Sequence, residues 1–179
     1  MLKQENTGLI VVDIQGKLAR LVHDSDTLIS NCEKLIRGMN ALGLPIIFLE
    51  QNPEKLGETV TELSTVLPTH NPITKYTFNA GATPEFMNEI SASNVDTWLI
   101  CGIEAHICVY QTALHLFQSG LNIQIVCDCI SSRTFANKNL AMAKLTSRGL
   151  DTTSLEMCLY ELVKDCRVPE FKEILSLIK

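Results

Sequence analysis

A chain of 179 residues, 46% hydrophobic and 20% charged, has the makeup of a soluble globular protein and can bury about 70% of its unfolded surface. A formal net charge of −5, without a long basic run, excludes an electrostatic footprint for nucleic acid or an anionic membrane. The opening "MLKQENTGLIVVDIQ" lacks the pattern of a signal peptide and no apolar stretch nears the ~18 residues of a membrane span, so a cytoplasmic protein is expected, its seven cysteines reduced.

"GLIVVDI", residues 8–14, is a continuous β-branched run, as expected of a strand buried on both faces. Leu28, Ile29, Cys32, Leu35, Ile36, Met39 and Leu42 then recur on one helical stripe, stopped by Gly43 and Pro45. "PIIFLE", residues 45–50, reads as the second strand. The segment 51–83 contains Pro53, Pro68 and Pro72 and shows weak periodicity, the mark of a functional loop or of short elements.

"TPEFMNEIS" opens a helix on Pro84, "DTWLICG" is a strand, and a helix is predicted over 108–118, closed by Gly120. "NIQIVCD" is a further strand, followed by a helix over 136–148 and a short strand near 149–152. Thr153 and Glu156 read as a capping box, and Pro169 as the start of the last helix. With no repeat or linker, residues 1–179 read as one domain. Strands separated by helices predict a three-layer α/β/α fold with a mostly parallel, Rossmann-like sheet of about six strands. Ligands in such folds bind beyond the carboxyl ends of the strands, where Asp13, Glu50, Gln51 and the segment 103–108 fall.

Cys108 is expected at a helix N-terminus, where unsatisfied N–H groups and the dipole favour the thiolate and can hold an oxyanion. The other cysteines lie on helix stripes, in strands or in connections. Asp13 ends an apolar strand, where a carboxylate needs a partner or a turn to cap. Lys75, in "PITKYTFNA", is uninformative by itself. Taken singly, each has an ordinary packing or surface explanation.

Together, "VVDIQ", "TKYTFNA" and "CGIEAHICVYQTALHLFQSG" resemble the three signature blocks of the isochorismatase-like cysteine hydrolases, with further likeness in "FLEQNPEKLGET" and "CDCISSR". The resemblance is to the small isochorismatase-domain proteins of unassigned substrate. It implies a catalytic triad of Asp13, Lys75 and Cys108. Asp13 would take the thiol proton, Lys75 would hold Asp13 and steady the thiolate, and Cys108 would attack a carbonyl to give a thioester. It also implies an oxyanion hole from the backbone N–H groups of Glu104 and Cys108, shaped by a cis bond between Ile103 and Glu104. A homo-oligomer is a further implication, and no cofactor is implied.

Nicotinamidases of this superfamily carry a histidine-containing metal segment after the second strand, where this chain has "LEQNPEKLGE". His23, His70, His106 and His115 show no ligand spacing, so no bound metal is expected. His106 reads as packed or solvated rather than as a pocket residue. Gln51 and Phe78 are candidates for the substrate-binding wall, and Asp128 and Arg133 read as a structural polar pair. The carboxylate of Glu104 would repel anionic substrates if it pointed into the site. The expected function is hydrolysis of a small-molecule amide or ureide C–N bond. Alternatives are a catalytically silent scaffold, hydrolysis of an isochorismate-like vinyl ether, and thiol redox chemistry, which the strand position of Cys101, pointing elsewhere, disfavours for want of a resolving partner.

Overall fold

The computed structural model describes every residue except Pro68 and His70. Those two, named above in the loop and among the histidines, lie outside the described residues. A 3₁₀ turn (Gln4–Asn6) leads into β1 (Thr7–Val12). Next come α1 (Leu18–Leu21), α2 (Ser25–Ala41) and β2 (Ile46–Gln51). α3 (Pro53–Leu56), α4 (Thr61–Ser64) and β3 (Ile73–Lys75) follow, then a 3₁₀ turn (Ala80–Ala82) and α5 (Pro84–Ala92). β4 (Thr97–Gly102) runs into a π-helical turn (Ala105–Val109) and α6 (Tyr110–Gln118). The order ends with β5 (Asn122–Ile130), α7 (Phe135–Ser147), β6 (Asp151–Thr153), α8 (Leu155–Val163) and α9 (Phe171–Ile178).

The strands form one sheet in the order β3-β2-β1-β4-β5-β6, and their pairings are parallel. All of β1 is buried, which is why its sequence is apolar without alternation. Successive side chains serve opposite faces. Leu9, Val11, Leu99 and Cys101 pack with Leu35 and Met39 of α2, Leu159 of α8 and Ile174 of α9. Ile10, Val12, Trp98 and Ile100 pack with Phe86 of α5, Leu116 of α6 and Leu145 of α7. Each such aliphatic side chain contributes about 1.5–3 kcal/mol by leaving water. The three-layer parallel fold expected from the sequence is the fold observed.

The winding reverses between β1 and β4, since β2 and β3 lie on one side of β1 and β4 to β6 on the other. That places a crevice beyond the carboxyl ends of β1 and β4. Gly102 makes their contact possible. Its φ is +121°, and a Cβ there would stand 2.1 Å from the Val12 carbonyl oxygen.

The segment 51–83 carries short elements, one of its two expected readings: α3, α4 and β3, with Lys75 ending a strand paired with Gln51. Several other local expectations are corrected. Ser154, not Thr153, caps α8: Thr153 pairs with Val126 as the last residue of β6, and Ser154 Oγ accepts from the Met157 N–H. α9 starts at Phe171 because Pro169 lies inside a turn closed by the Phe171 N–H and the Val168 carbonyl. The expected helix over 108–118 is two pieces, and Cys108 lies in the π-helical turn before α6. Asp128 and Arg133 do not pair. Asp128 Oδ1 accepts from the Leu155 N–H at 2.8 Å, anchoring the start of α8, while Arg133 turns to Glu104.

Candidate active site

Asp13 follows β1 directly and adopts φ +51°, a left-handed conformation uncommon for a residue with a side chain. Its N–H donates to Leu49 O and its carbonyl accepts from the Gln15 N–H, so both neighbours fix the bend. The bend directs a carboxylate only 2% exposed toward the mouth of the crevice. Lys75 reaches the same point from the end of β3, itself 1% exposed. Its Nζ donates to Asp13 Oδ2 at 2.7 Å, to Gln51 Oε1 at 2.8 Å and to Thr77 O at 3.3 Å. Three acceptors match the three protons of an ammonium, which satisfies a buried charge.

Gln51 therefore does more than line a wall. Its Nε2 donates to Tyr76 O at 2.8 Å, so one amide ties both the ammonium and the chain beyond Lys75 to β2. Gln15, within the "VVDIQ" block but unassigned from the sequence, locks Gln51 in turn. Its Oε1 accepts from the Gln51 N–H at 2.7 Å, and its Nε2 donates to Gln51 O at 3.2 Å and Gly57 O at 2.6 Å. No sequence signal marks this role, because the complete burial of Gln15 arises only when β1 and β2 are brought together.

Cys108 completes the cluster, 7% exposed and facing Asp13. Burial pushes its thiol up to about 12, and the Asp13 charge adds to the effect against the pull of Lys75. The helix-terminus argument for a resting thiolate is thus overturned: desolvation and a neighbouring carboxylate outweigh it. Burial also raises the Asp13 carboxyl, while Lys75 opposes that shift. Asp13 Oδ1 is one of the buried side-chain atoms that have no hydrogen-bond partner among the described residues. It is the acceptor nearest in kind to what the thiol proton needs.

The bond between Ile103 and Glu104 is cis, as the resemblance implied. The Glu104 carbonyl accepts from the N–H groups of Ile107 and Val109, and the Ala105 N–H donates to Ser131 O at 2.8 Å. The Glu104 carboxylate, 6% exposed, accepts from the Arg133 N–H at 2.9 Å and from Arg133 Nε at 3.1 and 3.2 Å. Its charge is matched by Arg133, at the edge of the cavity rather than free within it.

A cavity of about 80 Å³ opens onto Cys108, walled by Leu18, Leu56, Phe78, Ile103 and Ile107 together with Asp13, Gln51 and Glu104. Phe78 is 55% exposed at its rim. A larger hollow of about 170 Å³ between α2 and α7 holds His23, Asp128 and Lys138 but no thiol, and is not part of this cluster. His106 lies away from the cavity, with Nδ1 2.9 Å from Ser132 Oγ. His115 Nδ1 pairs with Asn79 Nδ2, and His23 stacks on Phe135. Among the described residues, no three His, Cys, Asp or Glu side chains are grouped to hold a metal ion. Cys101 is buried against α2 on the opposite face of the sheet, pointing away from Cys108 as its strand position implied, and does not serve as its resolving partner.

The chain matches the isochorismatase domain over residues 7–157. It is 32% identical over 176 residues to the secreted isochorismatase effector Isc1 of Phytophthora sojae, spanning 96% of this chain and 83% of that protein. The structure of MAR1 ribonuclease from Caenorhabditis elegans superposes with a TM-score of 0.92 at 32% identity, covering 99% of this chain and 91% of that one. The YcaC gene product of Escherichia coli, an octameric hydrolase of unknown specificity, shares the fold with a TM-score of 0.92 at 22% identity, covering 98% and 89%. Since the domain match runs from the first residue of β1 into α8 and spans all three residues of the buried cluster, the chain belongs to the isochorismatase family of hydrolases.

Proposed function

We propose that this protein is a cysteine hydrolase that cleaves an amide or ureide-type C–N bond of a small molecule through a thioester on Cys108. The observation that carries the reading is the convergence of Asp13, Lys75 and Cys108, from the ends of three strands, in one buried cluster beside a cavity. A silent scaffold would have no need of a thiol opening onto a cavity or of a carboxylate with one oxygen unpartnered next to it. In this reading residues 1–179 are one catalytic domain, which works as a homo-oligomer, the form stated for the E. coli neighbour.

At rest the thiol keeps its proton, and the Lys75 ammonium favours the carboxylate form of Asp13 against the opposing effect of burial. When a carbonyl carbon approaches Sγ, Asp13 takes the thiol proton as the S–C bond forms. The oxygen becomes an oxyanion held by the backbone N–H groups of Glu104 and Cys108. As the oxyanion collapses, the C–N bond breaks and the proton on Asp13 passes to the departing nitrogen. Water then attacks the thioester, giving its proton to Asp13. The C–S bond breaks, the acid leaves, and the thiol regains its proton.

The name of the C. elegans neighbour raises phosphodiester cleavage as a second reading. The cavity favours the first. Among the described residues its wall holds no lysine or arginine to take up a phosphate, its two carboxylates already engage Lys75 and Arg133, and the whole chain is acidic. Vinyl-ether hydrolysis of an isochorismate-like dianion meets the same objection.

The test is to incubate the protein with neutral amides, ureides, a short RNA and isochorismate, reading products and the intact mass. An acyl mass on Cys108, absent in Cys108→Ser, together with release of ammonia or amine, is expected. Turnover of RNA or isochorismate undiminished in Cys108→Ala would overturn the proposal.

A further inference from the structure

The same cavity constrains which acyl group can reach the sulfur. Five apolar side chains from four separate segments form its wall: Leu18 of α1, Leu56 of α3, Phe78 after β3, and Ile103 and Ile107 around the cis bond. The polar side chains on that wall are already committed. Asp13 Oδ2 and Gln51 Oε1 accept from Lys75, Gln51 Nε2 donates to Tyr76 O, and both Glu104 oxygens accept from Arg133. Asp13 Oδ1 has no hydrogen-bond partner among the described residues, but as a carboxylate oxygen it is an acceptor and offers an anion no donor. A carboxylate carried on the acyl chain would find no cationic side chain on the described wall, only the second N–H of Gln51 Nε2 as a side-chain donor, and two carboxylates already paired with Lys75 and Arg133. A cationic chain would have to compete with Lys75 and Arg133 for carboxylates that are already paired.

Size adds a second restriction. A cavity of about 150 Å³ accepts benzene, a ligand of six heavy atoms. The volume of about 80 Å³ here is roughly half of that.

We infer that the acyl half of the substrate is an uncharged aliphatic chain of about three or four carbon atoms, with its carbonyl at Cys108 and its nitrogen-bearing half outside the cavity. The inference rests on the cysteine-hydrolase reading for its chemistry. Its statement about the cavity can be tested without turnover.

Cys108 and Cys166 are alkylated in the same sample with iodoacetamide or iodoacetate, and each site is followed by peptide mass. Cys166 is exposed and serves as the internal reference. The ratio of amide to acid rates is expected to be at least about tenfold larger at Cys108 than at Cys166, since one charge is being excluded from a buried site. Equal ratios overturn the charge restriction.

Chain length is read by protection of Cys108 from iodoacetamide. Butyramide is expected to shield it, whereas succinamate and hexanamide are not. Ile107→Ala, which removes part of the wall, is expected to let hexanamide shield as well. Wild-type protection by hexanamide or succinamate equal to that by butyramide overturns the inference and leaves the hydrolase reading standing. Protection by butyramide without any thioester or ammonia supports the cavity assignment and counts against the hydrolase reading instead.

Discussion

Lys75 Nζ stands 2.7 Å from Asp13 Oδ2, with both side chains no more than 2% exposed, so neither charge has water to fall back on. Such a pair is weak evidence for stability while intact, but breaking it strands a buried ion. Lys75→Met is therefore expected to cost about 3–5 kcal/mol in chemical denaturation and to abolish turnover. The double variant Asp13→Asn/Lys75→Met should cost less than the sum of the two single changes, because no lone charge remains. Additive losses would mean that the pair is not coupled.

Asp13→Asn separates the reactivity of the sulfur from catalysis. The Asp13 charge is one of the causes that hold the Cys108 thiol at about 12, and Lys75 pulls the other way. Removing the carboxylate charge leaves the ammonium, so the thiol should titrate lower and iodoacetamide should modify Cys108 faster at pH 8. Turnover should nonetheless fall by about 10²–10⁴, since nothing remains to shuttle the proton. The check is the pH profile of alkylation, which should move to lower pH in the variant. An unmoved or upward-shifted profile would sink the account of the thiol. Lys75→Met should move the same profile upward.

The contrast between these residues shows what the sequence could and could not reveal. Asp13 and Cys108 were legible because each sits beyond the carboxyl end of an unmistakable apolar strand, where α/β folds bind ligands. The three-residue strand β3 was not legible: it is too short for a periodicity to develop, so Lys75 looked like a loop residue until it paired with Gln51. The roles of Gln15 and Gln51 were equally hidden, because they depend on which side chains meet across strands. The thiol's protonation departs from the helix-terminus expectation for a related reason. A helix start can be read from residue order, but burial beside a carboxylate is a property of the assembled crevice, and it dominated.

Arg133 acts on the site through Glu104. Its Nε and N–H hold a nearly buried carboxylate on the residue whose carbonyl also accepts from Ile107 and Val109. The Arg133 side chain is 58% exposed, so solvent screens the ion pair and Arg133→Ala should cost no more than about 1 kcal/mol of stability. The kinetic effect should exceed that, as a fall in kcat with KM little changed, because the turn presenting the Glu104 and Cys108 N–H groups loses a brace. Arg133→Lys keeps the charge but loses the planar guanidinium geometry and should rescue only part of kcat. A full rescue by lysine would reduce the role of Arg133 to that of a general positive charge.

Gly102 provides the last prediction, and it joins fold to site. A Cβ at this position would lie 2.1 Å from Val12 O and 2.7 Å from Val12 N, on a backbone with φ +121°. Backbone atoms of a buried central strand cannot swing aside as a side chain can, so β1 and β4 would have to part. Gly102→Ala is expected to lose about 3 kcal/mol or more of stability, from strain and clash together. Asp13 and the Ile103–Glu104 bond follow β1 and β4 directly, so any protein that does fold should also show lower kcat. Gly120→Ala is the control: that glycine has φ +92° but open space around its missing Cβ. It should lose only about 1–2 kcal/mol and leave kcat unchanged, because it closes α6 at the end away from the thiol. Thermal unfolding and turnover of the two variants side by side check this, and equal losses in both would show that conformation rather than close strand contact is what Gly102 provides.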